Sequence, residues 1–163
     1  MKIEEIIQIL KLDISKYDIT LYPGATEKDI YFFEKSLDVK LPSDFALFYK
    51  FANGFESADD LFRIIPLGEI VGRRAQFTDN HFHVAEYLIY CDLWEIEINP
   101  DDPNDYSIFI FDSDSDKLKL TKSFAEFLEK FLAGGVFNDG GLYEWNKEKS
   151  KLTELEFSRK QFR

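Results

Sequence analysis

The chain has 163 residues and a formal net charge of −11, and 45% of its residues are hydrophobic. This length fits one domain, in which roughly 70% of the surface of the unfolded chain can be buried. The negative charge argues against nucleic acid as a direct ligand, because phosphate groups require a basic surface. No apolar run approaches the ~20 residues that a membrane-spanning helix needs, so we expect no membrane partner.

Two further features predict a cytoplasmic location. Cys91 is the single cysteine and cannot form an internal disulfide, which agrees with a reducing compartment. The first residues, MKIEEIIQILKLDI, combine acidic side chains with an apolar pattern and contain no small-residue cleavage site. We therefore do not expect them to act as a secretory signal.

The charges are unevenly distributed along the chain. Residues 147–163 contain six Lys or Arg and three Glu, a net +3, so residues 1–146 carry −14. Residues 92–116 contain nine acidic residues and no Lys or Arg. This concentration of negative charge predicts attraction of a basic partner, with simple solubility as the alternative explanation.

Three helices are predicted in the first third of the chain, each with apolar residues at helical spacing. Thr26 is a suitable N-cap for the second helix, and Asp29 can complete a capping box. Pro42 suits the start of the third helix, and Asn53-Gly54 is predicted to end it in a left-handed conformation. The three apolar faces comprise Ile3, Ile6, Ile7 and Leu10; Ile30, Phe33 and Leu37; and Phe45, Phe48, Tyr49 and Ala52.

Apolar and alternating segments in the middle of the chain predict a sheet. The segment Leu93–Ile98 alternates polar and apolar residues and places Trp94 on the inner face. Residues 72–83 are polar and expected to be irregular, and residues 99–105 are rich in turn formers. The predicted strands are Phe62–Ile65, Glu69–Val71, Tyr87–Cys91, Leu93–Ile98, Tyr106–Phe111 and Lys117–Leu120.

The last part of the chain predicts one further helix and an extension. Ser123 caps this helix, Glu126 can complete its capping box, and Gly134-Gly135 ends it. The aromatic segment Leu142–Trp145 and the basic tail are expected to add a short strand or helix. The whole pattern predicts a single α+β domain over residues 1–163, with a mainly antiparallel sheet of about five or six strands and three to four flanking helices.

Short motifs follow one another along the chain in a distinctive order. They are Gly24-Ala25-Thr26-Glu27, Phe33-Glu34, Leu41-Pro42 with Asp44 and Phe45, Phe48-Tyr49, Asn53-Gly54, Arg63 with Ile65-Pro66-Leu67 and Glu69-Ile70, and Ser123-Phe124 with Phe127-Leu128. In this order and spacing they resemble the SUKH superfamily of bacterial toxin-immunity proteins and fungal cell-wall synthesis regulators. The resemblance covers about residues 20–133, leaves residues 134–163 as a C-terminal extension, and implies a SUKH-like binding protein without a shared catalytic motif.

The acidic segment after the third predicted helix is a candidate partner-binding site. Recognition surfaces commonly combine an aromatic anchor with a charged rim, and this segment offers both. An ordinary solvated loop is the alternative interpretation. The predicted contact residues are Asn53, Phe55, Glu56, Asp59, Asp60, Asp101, Asp102 and Asp105, with the turn Asp112–Asp116 as an addition.

Three patterns resemble chemical sites but have better explanations. Asp112–Asp116 resembles the start of a calcium-binding EF-hand loop, but Lys and Ser occupy the positions that require Gly and Glu. His81 and His83 have no second spaced pair of zinc ligands, so we predict no metal and no cofactor. Cys91 lies beside Asp92, which opposes the thiolate that a nucleophile requires. We therefore predict that the protein is not an enzyme.

Three functions are consistent with these observations. The first, implied by the resemblance, is an intracellular immunity protein whose acidic surface binds and neutralises a protein toxin of nuclease type with a basic surface. The second is a non-catalytic regulator or adaptor that binds an endogenous protein, as in cell-wall synthesis regulation. The third is a carboxylate-based hydrolase, which predicts two acids with strongly shifted pKa values in one cleft.

Overall fold

The computed structural model of the protein describes residues 1–58, 61–78, 80–89, 91–111 and 117–161. These residues form seven β-strands and six α-helices, with two short 3₁₀ turns at Ile14–Lys16 and Arg74–Gln76. The strands are β1 (Ile19–Pro23), β2 (Ala52–Ser57), β3 (Phe62–Ile64), β4 (His81–Tyr87), β5 (Asp92–Asn99), β6 (Asp102–Phe111) and β7 (Lys117–Thr121). The helices are α1 (Ile3–Asp13), α2 (Glu27–Leu37), α3 (Ser43–Phe51), α4 (Leu67–Gly72), α5 (Phe124–Gly134) and α6 (Leu142–Gln161).

The strands form one antiparallel sheet in the order β1-β2-β3-β4-β5-β6-β7, so each strand pairs with its neighbour in the sequence. The α+β class and the antiparallel sheet agree with the prediction from the sequence. The predicted numbers, five or six strands and three to four helices, are both too low for the described residues. The strands β1 and β2 and the helices α4 and α6 account for much of the difference.

Two helix starts follow the predicted capping chemistry. The Thr26 hydroxyl accepts a hydrogen bond from the Asp29 N–H at 3.2 Å, and the Asp29 carboxylate accepts one from the Thr26 N–H at 2.7 Å. The Ser123 hydroxyl likewise accepts from the Glu126 N–H at 3.1 Å. The Glu126 carboxylate instead accepts a hydrogen bond from the Thr121 hydroxyl. Both N-caps are therefore confirmed, because capping depends on residues that are close in the sequence.

The end of α3 differs from the prediction. The helix ends at Phe51, and the chain continues directly into β2, so Asn53-Gly54 lies within a strand. Gly54 does have a positive φ of 88°. Its role is to permit a close approach of two strands, since a Cβ at this position would lie 2.3 Å from the carbonyl oxygen of Ile64.

Two of the predicted strands are also wrong. Glu69–Val71 belongs to α4, whose N-cap is Pro66, a residue that favours the first turn of a helix. In the predicted strand Tyr87–Cys91, Tyr87 ends β4, and Leu88 and Ile89 have left-handed backbones with φ of 46° and 48°. Short apolar runs fit a strand, a buried helix or a turn equally well, so their periodicity does not distinguish these structures.

The core lies between the inner face of the sheet and the helices, and aromatic rings fill much of it. Trp94 is fully buried, with its ring centroid 5.5 Å from that of Phe62 and 5.9 Å from that of Phe127. The rings of Phe45 on α3 and Phe124 on α5 stack at 3.9 Å. Trp94 was predicted to face inwards, and this prediction is confirmed. Stacked and edge-to-face aromatic pairs add to the stabilisation that burial provides.

The last helix, α6, begins in the core and then leaves it. Leu142 and Trp145 are buried, and this first part of α6 packs against β7 and α5. The side chains of residues 151–159 are all exposed. The described part of the basic tail therefore extends beyond the acidic body. None of the described helices is long and apolar enough to cross a membrane.

Candidate interaction surface

The first two predicted contact residues stabilise the fold. The Asn53 side-chain oxygen accepts a hydrogen bond from the Leu67 N–H at 3.0 Å, which ties β2 to the start of α4. Phe55 is 1% exposed, and its ring lies 5.6 Å from that of Phe131 and 6.0 Å from that of Phe62. The prediction that Phe55 is an exposed aromatic anchor is therefore wrong. Alternation along β2 turns its side chain towards the core.

Glu56, the next residue on β2, is exposed, and its side chain lies on the face of the sheet away from Phe55. Its carboxylate accepts a hydrogen bond from the Tyr22 hydroxyl at 2.9 Å. Asp59, Asp60 and the turn Asp112–Asp116 lie outside the described residues, so their contribution to partner binding stays a prediction.

The other predicted acids lie around the turn between β5 and β6. Asp101, Asp102 and Asp105 are exposed. The Asp105 carboxylate accepts hydrogen bonds from Lys122 at 2.7 Å and from Asn99 at 3.2 Å, and both lower the pKa of Asp105. Among the described residues, no Lys or Arg forms an ion pair with Asp101 or Asp102. The Asp102 carboxylate accepts a hydrogen bond from the Asn104 N–H at 3.1 Å, so a neutral donor rather than a cation contacts it.

The sheet separates Glu56 from the acids of the β5–β6 turn. The strands β2 and β6 are four positions apart, which corresponds to about 19 Å. Glu56 is also displaced along the strands. It lies level with Leu93 on β5, through its pairing with Arg63 and the pairing of Arg63 with Glu86 and of Glu86 with Leu93. Leu93 is six residues, or about 20 Å, from Asn99. The described acids among the predicted contacts therefore form two groups roughly 27 Å apart, rather than one continuous site.

Lysine from β7 partly neutralises the acidic region between these groups. The Lys117 ammonium lies 2.9 Å from the Glu95 carboxylate and 3.1 Å from that of Glu97. The His81 Nε2 lies 3.0 Å from the Glu97 carboxylate, and the contacts with His81 and Lys117 lower the pKa of Glu97. The negative charge that the sequence concentrates in residues 92–116 is thus partly balanced by a neighbouring strand.

Four charged side chains on the outer face, beside α4, form a network that the sequence did not predict. Arg63 donates to Glu69, with one contact of 2.9 Å, and also to Glu86. Arg73 donates to Glu69 and, at 3.2 Å, to Glu86. Burial raises the pKa of Glu69, but the hydrogen bonds from the two Arg side chains outweigh this effect, so its pKa lies below the usual range.

This network, which we call the Arg–Glu quartet (Arg63, Glu69, Arg73 and Glu86), joins α4 to the sheet. The Glu86 side chain is only 3% exposed, and that of Arg73 only 10%. The two cations and two anions balance each other, and each carboxylate contacts both guanidinium groups, so we interpret the quartet as structural. The available signal in the sequence was Glu86, an acid within the apolar segment Val84–Tyr87.

The candidate metal ligands and nucleophile are not assembled into a site. His83 packs against Phe77 with ring centroids 5.1 Å apart, and burial lowers its pKa. Cys91 is exposed. In the described part of the chain, no group of three or more His, Cys, Asp or Glu is arranged to hold a metal ion.

A carboxylate-based hydrolase would need two shifted acids in one cleft. Among the described carboxyl groups, Asp44 has a raised pKa, and the cause is its burial. Its carboxylate accepts hydrogen bonds from the Tyr106 hydroxyl and, at 2.8 Å, from the Phe45 N–H. These contacts join α3 to β6 and give Asp44 a structural role.

Residues 24–130 match the model of the SMI1 / KNR4 family (SUKH-1). This range contains β2 to β7 and the helices α2 to α4, together with most of α5. The chain therefore belongs to the SMI1/KNR4 family (SUKH-1), as its motifs indicated. Membership supports a role in immunity or regulation in general, and members of this family are generally non-catalytic. No curated protein matches the chain.

Proposed function

We propose that the protein is an intracellular immunity protein that binds a cognate toxin and neutralises it. The observation that carries this proposal is its membership of the SMI1/KNR4 family (SUKH-1). The Arg–Glu quartet supports it as well, because its buried charges pair with each other within the fold. A protein of this kind acts by occupying a surface of its partner rather than by chemistry.

The charge of the chain favours a toxin with a basic surface, and a nuclease is the class we propose. Nucleases bind phosphate groups and therefore carry Lys and Arg at their clefts. Residues 1–146 carry a net charge of −14, which attracts such a surface. Glu56, Asp101, Asp102 and Asp105 are exposed and are the described acids that we propose to contact it.

Co-expression tests the proposal directly. The product of a gene adjacent to that of this protein serves as the candidate toxin and is expressed in a bacterial host, with this protein or with an empty vector. We expect growth to stop with the vector and to be restored by the protein, and the two proteins to co-purify. Unchanged toxicity and no complex would reject the toxin-neutralising function. A complex with an endogenous non-toxic protein would instead support the alternative, a regulator or adaptor.

A charge-reversal variant tests the electrostatic part. The variant Glu56→Lys, Asp101→Lys, Asp102→Lys and Asp105→Lys changes the proposed contact acids. A control with the same change in net charge is Glu4→Lys, Glu148→Lys, Glu154→Lys and Glu156→Lys, all at exposed positions. We expect the first variant to bind toxin at least about tenfold more slowly at low salt than the control. Equal association rates would show that these acids do not define the contact surface.

A further inference from the structure

Four exposed apolar side chains gather at the end of the sheet where β4 turns into β5. Leu61, Leu88, Ile89 and Phe137 are large hydrophobic residues, and Ile89 is 82% exposed. The Leu88 N–H donates to the Leu61 carbonyl at 3.1 Å, and the Phe137 ring lies 5.1 Å from that of Tyr87. We call these four residues the apolar tip. Single exposed apolar residues are common, but a cluster of this kind marks an interaction site.

The backbone of the apolar tip is strained. Leu61, Leu88 and Ile89 have φ of 49°, 46° and 48°, in the left-handed region that favours Gly, Asn and Asp. Ile89 is β-branched, and for such a residue this conformation is a genuine outlier. An exposed Ile gains little from burial here, so folding stability does not explain it. Strain of this kind is concentrated at functional sites.

The apolar tip is also held in place by the body of the protein. The Phe137 ring stacks on that of Tyr143 with centroids 5.1 Å apart. The Tyr143 hydroxyl donates to the Asp92 carboxylate, and Asp92 pairs with Tyr87 across the base of the turn. The Cys91 N–H closes the same turn by donating to the Tyr87 carbonyl at 3.2 Å. A surface fixed in this way loses little conformational entropy when it binds.

The acids around the apolar tip indicate the chemistry of its partner. Glu56 lies at the same end of the sheet, since it pairs with Arg63, two residues beyond Leu61. Asp92 lies at the base of the turn itself. Together with the charge of −14 on residues 1–146, these carboxylates favour a partner with Lys or Arg around the contact.

From these observations we infer that the apolar tip is the anchor of the complex: Leu61, Leu88, Ile89 and Phe137 insert into an apolar pocket that is rimmed by basic residues on a toxin. This inference rests on the proposed function and names the surface that performs it. A few residues buried in pockets near the centre of an interface commonly provide most of its binding energy, while charged residues at the rim steer association. The apolar tip therefore replaces Phe55 as the hydrophobic part of the contact.

Asparagine substitutions test the inference, with the purified, catalytically inactivated candidate toxin from the adjacent gene as the probe. Ile89→Asn removes the apolar side chain and places a residue that tolerates the left-handed backbone. Leu12→Asn on α1 is the matched control, because Leu12 is 80% exposed and lies on another element. We expect Ile89→Asn to weaken binding at least tenfold with an equal or higher unfolding temperature, and Leu12→Asn to change affinity less than twofold.

A second variant, Phe137→Ser, should also weaken binding at least tenfold. Toxin affinities that match the wild-type value in both Ile89→Asn and Phe137→Ser would overturn the inference while leaving the proposed function intact.

Failure of the wild-type protein to bind this toxin would instead reject the proposed function. The apolar tip is then tested by photo-crosslinking in the native host, from a photoreactive residue at position 89 or at position 12. We expect a discrete basic protein to be captured from position 89 alone, and its affinity to fall in Ile89→Asn. Identical crosslinks from the two positions would overturn the inference.

Discussion

Replacing Glu86 by Gln should destabilise the protein strongly, because it leaves the Arg–Glu quartet with an unpaired positive charge. Glu86 is 3% exposed and contacts Arg63 and Arg73, whose side chains are 26% and 10% exposed. Removing one partner of a buried ion pair costs about 3–5 kcal/mol. Since water reaches part of Arg63, we take the lower end, about 3 kcal/mol.

Thermal unfolding measures this effect. For a domain of this length, about 3 kcal/mol corresponds to a fall of about 6–12 °C in the midpoint. The matched control is Lys50→Gln, which removes an ion pair between Lys50 and Glu27 at 2.6 Å whose side chains are 44% and 82% exposed. An exposed pair contributes little, so we expect the midpoint of this control to move by less than about 3 °C.

A double variant checks the cause of the destabilisation. Glu86→Gln combined with Arg73→Gln restores neutrality and leaves the contact between Arg63 and Glu69 intact. We expect the double variant to lose clearly less stability than the sum of the two single variants, because each single variant leaves a charge without its partner. Additive losses, or a Glu86→Gln shift no larger than that of Lys50→Gln, would refute the explanation.

Three further predictions concern the backbone, the tail and the pH dependence. Gly54→Ala should lower the free energy of unfolding by more than about 1 kcal/mol, because Gly54 has a positive φ and lies close to the Ile64 carbonyl. Gly72→Ala, with open space around it, should be nearly neutral when both variants are measured by urea unfolding. Truncation after Ser150 removes only exposed side chains among the described residues and should shift the thermal midpoint by less than about 2 °C. Burial lowers the pKa of His83, so on acidification the unfolded chain takes up a proton before the folded protein does. The free energy of unfolding should therefore fall as the pH drops below about 6.5. The variant His83→Gln should flatten this dependence in urea titrations between pH 7 and 5.

The features that sequence analysis predicted correctly depend on residues that are near each other in the chain. The N-caps at Thr26 and Ser123 are examples, since their partners lie three residues away. The inward position of Trp94 follows from alternation within a single strand. Such signals remain valid whatever the rest of the fold does.

The errors concern features that depend on distant partners. The segment Glu69–Val71 is too short for its periodicity to separate a helix from a strand, and its contacts with α2 favour the helix. Phe55 follows an Asn-Gly pair that suggested a loop, but pairing with β1 and β3 makes this segment a strand. Tertiary contacts therefore decided both structures.

The candidate site was hardest to predict because it is defined by the pairing of strands. Lys117 follows the acidic run in the sequence, yet it pairs with Glu95 and Glu97 only because β7 joins the sheet beside β6. The left-handed backbone at Ile89 leaves no signal in the residue type, since Ile disfavours this conformation. The exposed apolar tip could therefore be found only in the folded structure.

The most direct test of the central claim is a stoichiometric inhibition measurement. The purified candidate toxin from the adjacent gene is titrated with this protein while its toxic activity is recorded, and the complex is sized by light scattering. We predict complete loss of activity at one equivalent and a stable complex of the two proteins. Full toxin activity in the presence of a tenfold excess of the protein would contradict the claim that it is an immunity protein for that toxin.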